Sequence, residues 1–388
     1  MGYSYLLLGA GRQGTAAAYD LAQHAEADSV LIADHDMALS QQAAARVNGL
    51  LRTDCVQAAV VDVRDHASLV GLLGGVDAVI SAVPYHFNLA VARAAIEARA
   101  SMCDLGGNTE LVWRELALDE QAKAAGISII PDCGLMPGMG NTLSVYAMGL
   151  MARPQHVRIF VGGLPVHPRP PFDYLLTFNI AGLTNEYAGT ATYLRAAEIV
   201  EVPALSELEV IDFPQPVGRC EAFVTSGGTS TCPWTFKGKL LTYEEKTVRY
   251  PGHCVAFGAF ADLGLLGEAP LQVGEDSVVP RQVFHALLEP KIAFPEDEDV
   301  VVLRVLCSGE TTQGRRVEAR LEVIDFCDEQ TGFRAMERTT GFPAAIVAHL
   351  MAAGQTPRGA VPLELAVDGT AFVKEWRRRG LPLTESVD

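Results

Sequence analysis

Gly9, Gly11 and Gly14 form G-x-G-x-x-G directly behind the apolar run YLLL and ahead of the alanine-rich stretch TAAAYDLAQHA. Between a strand and a helix, the first glycine allows a tight turn and the second lets the backbone approach a phosphate. The third lets the helix pack against the strand. N–H groups opening such a helix are donors for a pyrophosphate, and Arg12 and Gln13 lie inside the same turn. Asp34 ends the next apolar run, about twenty residues beyond Gly14, where a carboxylate accepts hydrogen bonds from a ribose and repels a 2′-phosphate. The chemistry implied is dinucleotide binding, NAD in preference to NADP, with Arg12 keeping the NADP reading open. A glycine turn that binds nothing is the bland alternative.

Other chemistry-bearing residues fall at the ends of later apolar runs. Asp62 and Val63 close VVDV, where an adenine would lie, and Asp62 reads equally as a solvated strand-end carboxylate. Ala82, Val83 and Pro84 close ISAVP, near the crevice where open α/β sheets bind ligands. Tyr85 and His86 follow at once, Asp104 follows SMC, and Asp132 and Cys133 follow ISIIP. Each has a plainer reading: Tyr85 as a packing aromatic, His86 as a cap for the next helix, Asp104 and Asp132 as partners of their own glycine-turn amides. Cys133 reads as a small buried hydrophobe.

The elements that must position these residues alternate. YLLLG, SVLIAD, VQAAVVD, DAVISAV, SMCDL and ISIIPD are short apolar strands, with helices between them such as MALSQQAAARV, NLAVARAAIEARA and a single TELVWRELALDEQAKAAG. Such alternation predicts a parallel sheet covered on both faces. After PDCGLMPGMGN the pattern changes to HVRIFVGGL, DYLLTFNI, EVIDF, EAFVTSGG, TFKGKLLTYEEKTVRY, DVVVLRVLCSG and RRVEARLEVIDF, an antiparallel or mixed sheet. MERTTGFPAAIVAHLMAAG is again helical and returns to the first part, and PEDEDV reads as a solvated loop. The expected fold is α/β: a Rossmann-type parallel-sheet domain over 1–133, an inserted mixed α/β domain over 134–338, and a C-terminal helical segment over 339–388.

Composition narrows the classes. In 388 residues, 30 Lys+Arg against 47 Asp+Glu leave a net charge of −17, which repels nucleic acid and anionic membranes and tolerates a small zwitterionic or cationic substrate. No run reaches the ~20 apolar residues of a membrane span, and the N-terminus lacks the basic flank of a signal peptide. Eight scattered cysteines without a C-x-x-C pair argue against a zinc site or a disulfide framework. The expectation is a cytoplasmic protein with reduced thiols and no metal.

Longer motifs carry a family resemblance. GAGRQG, SAVPYHFN, DLGGN, PDCGLMPGMGN, GGLP, NEY, EAFVTSGGTST, EEKTVRYPGH and MERTTGFPAAIVAHL resemble the saccharopine dehydrogenase superfamily, and within it the lysine 6-dehydrogenase branch. They run from residue 9 to about residue 350. The resemblance implies NAD-dependent oxidation at the carbon bearing a lysine ε-amine, with hydrolysis to aminoadipate semialdehyde and ammonia, in a homodimer whose second domain builds the substrate side and the subunit contact.

That chemistry needs a neutral amine, because a free lysine amine titrates near ~10.4, and hence a general base. Tyr85, His86, Asp104 and Asp132 are the candidates, and no covalent thiol is called for. A substrate α-carboxylate needs a fixed cation or a set of donors: Arg249 first, then Lys246 and His253, with Thr225 and Ser226 as hydroxyl donors. Glu186 in NEY could hold a substrate ammonium or serve as a helix-end or interface carboxylate, and Lys246 could be a solvated strand lysine. Rival readings are saccharopine dehydrogenase itself, a carboxynorspermidine-type enzyme, and a non-catalytic NAD sensor. Saccharopine would require further cations from Arg158, Arg169, Arg195 or Arg219.

Overall fold

The computed structural model describes residues 2–388. Its first layer is a parallel sheet built from β1 (Tyr3–Leu8), β2 (Ala27–Asp34), β3 (Val56–Val60), β4 (Ala78–Ser81), β5 (Ser101–Asp104) and β6 (Ser128–Ile130). Leu6, Leu7, Leu8, Val79 and Ile80 are fully buried, as expected of strands covered by helices on both faces. The order is β6-β5-β4-β1-β2-β3, with the two-residue strand Gly359–Ala360 beside β6, which sets β1 and β4 side by side. The chain ends of those two strands open the crevice where such sheets bind ligands.

The second layer is a mixed sheet of nine strands. It contains β7 (Arg153–Pro165), β8 (Thr190–Arg195), β9 (Glu198–Pro203), β10 (Glu209–Asp212), β11 (Arg219–Phe223) and β12 (Thr242–Arg249). A small hairpin, β13 (Leu271–Val273) and β14 (Asp276–Val278), lies apart from it. Then come β15 (Asp299–Glu310) and β16 (Arg316–Phe326), the short β17 (Gly359–Ala360) that joins the first sheet, and β18 (Thr384–Val387) on the edge of the second. β12 runs parallel to β7, while β15 pairs antiparallel with both β7 and β16. In the gap between helices, an added Cβ on Gly341 would stand 2.7 Å from Gln13 O. Only glycine there lets helix Ala335–Ala352 cross helix Arg12–His24 at backbone contact.

Four local expectations change. DYLLTFNI forms no strand: residues 174–179 are irregular, with Tyr174, Leu175 and Thr177 buried. Its apolar character serves an aromatic cluster with Tyr187, Phe223 and Phe257, and Asn179 caps the helix that follows. The single helix expected over TELVWRELALDEQAKAAG divides into Thr109–Leu116 and Asp119–Ala125, with Leu118 turned into the core between them. TFKGKLL is a short helix, Cys232–Phe236, and a turn, so the strand begins only at Thr242. In PEDEDV, Asp299 is completely buried. Its carboxylate accepts Ala335 N at 2.8 Å and Met336 N at 2.9 Å, satisfying two of the orphan donors at the start of helix Ala335–Ala352. The eight cysteines are free, and among the described residues no helix is long and apolar enough to cross a membrane.

Candidate active site

The glycine turn has the form a dinucleotide requires. Gly9 sits at φ +102, and a Cβ there would meet Ala82 O at 2.6 Å; one on Gly14 would meet Gly9 O at 2.0 Å. Gly11 differs, because its added Cβ meets nothing within 4 Å and it is the exposed residue that opens helix Arg12–His24. Arg12 is exposed and Gln13 half-buried beside it, and no acid occupies the first turn. Asp34 Oδ2 accepts Ala10 N at 2.8 Å, tying the end of β2 to the turn, while His35 Nδ1 lies 2.7 Å from Oδ1. Asp62 lies beyond β3 and is gripped by Arg64, Nη2 to Oδ2 at 2.7 Å, which lowers the carboxyl to about 2. Val63 beside it is half-buried, and Ala82, Val83 and Pro84 leave β4 at the mouth of the crevice. These residues suit a dinucleotide: a cradle closed to side chains at Gly9 and Gly14, and open over the helix N-terminus at Gly11.

Next along the crevice are the groups able to move protons. Tyr85 packs against Gly107, whose added Cβ would touch the Tyr85 ring at 3.1 Å. His86 is exposed, rests on Phe87 at 4.1 Å between ring centroids, and caps no helix. Asp104 is buried under the glycine loop, with Oδ1 accepting Gly106 N at 2.7 Å and Asp132 N at 3.2 Å. Asp132, at φ +63, accepts the Ser230 hydroxyl on Oδ2. Asp104 Oδ2, Asp132 Oδ1 and both oxygens of Glu115 are buried without a donor. Three acceptor-only side chains cannot face one another out of water while all are charged. Desolvation, reinforced at Glu115 and Asp132 by the Asp104 charge, pushes all three upward, so the cluster keeps protons at neutral pH. Cys133 is buried, and desolvation raises its thiol well above 9.

The second sheet supplies the other wall. Arg249 is buried; its Nε donates to Tyr187 OH at 3.1 Å, and Nη2 lies 3.6 Å from Glu186 Oε2. The Tyr187 hydroxyl, which accepts from Arg249, also shares a hydrogen bond with His253 Nε2, 2.9 Å away. Burial and the Arg249 cation push His253 well below its usual range, so it is neutral. Glu186 keeps 32% of its side chain open; desolvation raises it to about 7 against the pull of Arg249, and that residual exposure moderates the shift. Glu245 is 1% exposed with Oε2 lacking a donor, and desolvation followed by the Glu186 charge raises it to about 8.

One loop joins the two walls. Ser226 N donates to Glu186 O at 2.9 Å, Gly228 covers Glu245 Oε2 so closely that an added Cβ would stand 2.5 Å away, and Ser230 reaches Asp132. Asn141 steadies the loop through Gly228 O and Thr229 O, both at 3.5 Å, and binds Tyr243 OH at 3.1 Å.

Comparison with known proteins bears on this arrangement. The model of the saccharopine dehydrogenase NADP binding domain matches residues 5–130, and that of the saccharopine dehydrogenase C-terminal domain matches residues 134–381. The chain belongs to the saccharopine dehydrogenase family. Its first layer is therefore a domain of the nicotinamide-nucleotide-binding type. Apo saccharopine dehydrogenase (L-Glu forming) from Saccharomyces cerevisiae superposes with a TM-score of 0.80 over 100% of both chains at 20% identity, a likeness of fold. Carboxynorspermidine synthase of Vibrio cholerae is 25% identical over 377 residues, covering 89% of this chain and 87% of that one. Mitochondrial alpha-aminoadipic semialdehyde synthase of Mus musculus is 23% identical over 360 residues, covering 75% of this chain. The chain spans only 38% of the length of that synthase.

Within this saccharopine dehydrogenase fold, some expected site residues point elsewhere. Lys246 leaves the pocket: residues alternate across a strand, so Glu245, Thr247 and Arg249 share one face of β12 while Lys246 shares the other with Glu244. There Lys246 Nζ pairs with Glu209 Oε1 at 2.7 Å, and Arg158 and Arg195 converge on Glu244. Thr225 is paired with the Thr247 hydroxyl at 2.7 Å, and Ser226 donates to Asn185 O at 2.8 Å, so the Ser226 hydroxyl is not a spare donor. Asp62 is committed to Arg64. Glu115, Glu245, Ser230 and Asn141 are additions. Counting by twos from Arg249 exposes Glu245, whereas Glu115 carries no sequence signal beyond an acid in a helix.

Proposed function

We propose that the chain oxidises the carbon bearing the ε-amine of L-lysine with NAD, releasing 2-aminoadipate 6-semialdehyde and ammonia. The observation that carries this reading is the charge balance of the substrate wall: one buried guanidinium, Arg249, faces two carboxylates, Glu186 and Glu245. Lysine brings one carboxylate and two amines. Saccharopine brings three carboxylates, and the arginines available for them are engaged elsewhere: Arg158 and Arg195 with Glu244, and Arg169 with Asp297. Arg219 is exposed on β11.

In this scheme Arg249 takes the substrate carboxylate and aims the ε-amine at the crevice between Tyr85 and the end of β4. A nicotinamide held over the Gly9–Gly14 turn would supply the acceptor for a hydride from the amine carbon. The amine must first lose a proton, and the exposed His86 imidazole is the group to receive it, with the buried carboxylate cluster of Asp104, Glu115 and Asp132 beneath the glycine loop. Water then adds to the imine carbon and ammonia leaves. The balance is lysine ammonium, NAD⁺ and water giving aldehyde, ammonium, NADH and one proton. Asp34 favours NAD because Ala10 N fixes a carboxylate where a 2′-phosphate would sit, although the matching domain model is described as NADP binding.

A carboxynorspermidine-type reaction is the second reading, favoured by the acid-rich pocket and by a relative of matching length. The deciding assay follows NADH and ammonia with lysine, ornithine, saccharopine and carboxynorspermidine at alkaline pH. NADH with ammonia from lysine alone supports the proposal. NADH without ammonia from saccharopine or carboxynorspermidine overturns it.

A further inference from the structure

The face of β12 that carries Arg249 has one negative charge too many. Glu245 and Glu186 both face the guanidinium, yet Glu186 Oε2 stays 3.6 Å from Nη2, and Glu245 Oε2 has no donor at all. The rest of the surroundings cannot neutralise them. Thr247 Oγ1 lies 3.5 Å from Glu245 Oε1, the Tyr193 hydroxyl on β8 goes to the Glu245 carbonyl, Tyr174 lies under the Arg249 guanidinium at 5.0 Å as a neutral phenol, and Tyr187 takes Arg249 Nε with the neutral His253 behind it. The covering loop contributes only Ser226, Gly227 and Gly228. Two carboxylates and one guanidinium in a desolvated pocket call for one more positive charge, from a proton or a ligand.

We propose that Glu186 and Glu245 form the subsite for the substrate's α-ammonium, beside the carboxylate subsite of Arg249, so that the pocket selects a free α-amino acid. Glu186 is the open member and touches the ammonium. Glu245 lies sealed beneath Gly228 and is a positioning residue that supplies the second negative charge from below. In the empty pocket desolvation keeps a proton on Glu245 at neutral pH, and an arriving ammonium releases it. The inference deepens the lysine reading and rests on it for the substrate class.

The test is calorimetric titration of the full chain saturated with NADH, which prevents turnover, using L-lysine and 6-aminohexanoate, which lacks only the α-amine. A charge-assisted contact predicts that wild type binds lysine about tenfold or more tightly than 6-aminohexanoate. Glu186→Gln and Glu245→Gln should each shrink that ratio. Repeating the titration near pH 7 in buffers of different ionisation enthalpy should show about one proton fewer released by Glu245→Gln than by wild type. A merely structural glutamate would move neither the ratio nor the proton count. Equal binding of the two ligands by wild type, or a ratio that survives either substitution, overturns the subsite; if Glu245→Gln fails to fold, Glu186→Gln decides. Lysine turnover with the ratio intact in the variants leaves the dehydrogenase reading standing without the subsite. Absent lysine turnover with a collapsed ratio does the reverse.

Discussion

Gly11→Ala separates nucleotide binding from folding. Gly11 has φ −71 and ψ −171, a conformation open to alanine, and its added Cβ meets nothing within 4 Å. Losing glycine's unfolded-state freedom stabilises by about 0.4–1 kcal/mol, whereas alanine is a poorer N-cap than glycine by about as much. The two nearly cancel, so Tm should move by no more than about 2–4 °C. The same methyl group occupies the space over the helix N-terminus where a pyrophosphate must approach the amides. Losing one charge-assisted contact of about 1.5–3 kcal/mol weakens NADH binding about 10- to 100-fold. Gly14→Ala makes the contrast. Its Cβ would lie 2.0 Å from the Gly9 carbonyl oxygen, backbone against backbone, and overpacking of this kind costs about 1–3 kcal/mol, so Tm and binding fall together. Fluorescence titration with NADH and thermal melts of both variants read the difference. An unchanged Kd in a normally folded Gly11→Ala protein would refute the placement of the pyrophosphate over this turn.

Asp34→Ala should weaken NAD binding and lower the NAD-to-NADP ratio of kcat/KM, because it removes both the ribose acceptor and the bond that fixes Ala10 N; an unchanged ratio sinks the assignment. Glu115→Gln tests the buried carboxylates. Their folded pKa values are raised by desolvation, so wild-type stability is fullest below the unfolded value of ~4.3 and falls as pH rises towards the folded values. The Tm advantage of Glu115→Gln over wild type should therefore grow from pH 5 to pH 8, and a constant difference contradicts the shared-proton picture. Lys246→Met should leave KM for lysine within about twofold and lower Tm only modestly, since it removes the contacts of Nζ to Glu209 and to the Glu207 carbonyl while Glu209 keeps Arg158. A large rise in KM would place Lys246 back in the pocket.

What the residues announce on their own is local. The parallel sheet follows from apolar runs separated by helices, and the nucleotide turn from three glycines whose spacing makes sense only between a strand and a helix. Asp34 follows from its distance along the chain, because one β-α-β unit sets that distance without help from elsewhere. Long-range packing decided the rest. Asp299 sits in a run of acids that looks solvated, and only the approach of helix Ala335–Ala352 turns it into a buried cap. Lys246 and Glu245 are neighbours in sequence and both unusual in a strand. The pairing of β12 with β7 fixes which of them faces Arg249 and which faces Glu209. Ser230 and Asp132 meet only because the loop after β11 folds back over the first sheet. A carboxylate's charge state depends on the solvent it loses and the partners it gains, and those are properties of the assembled walls rather than of the chain that supplies them.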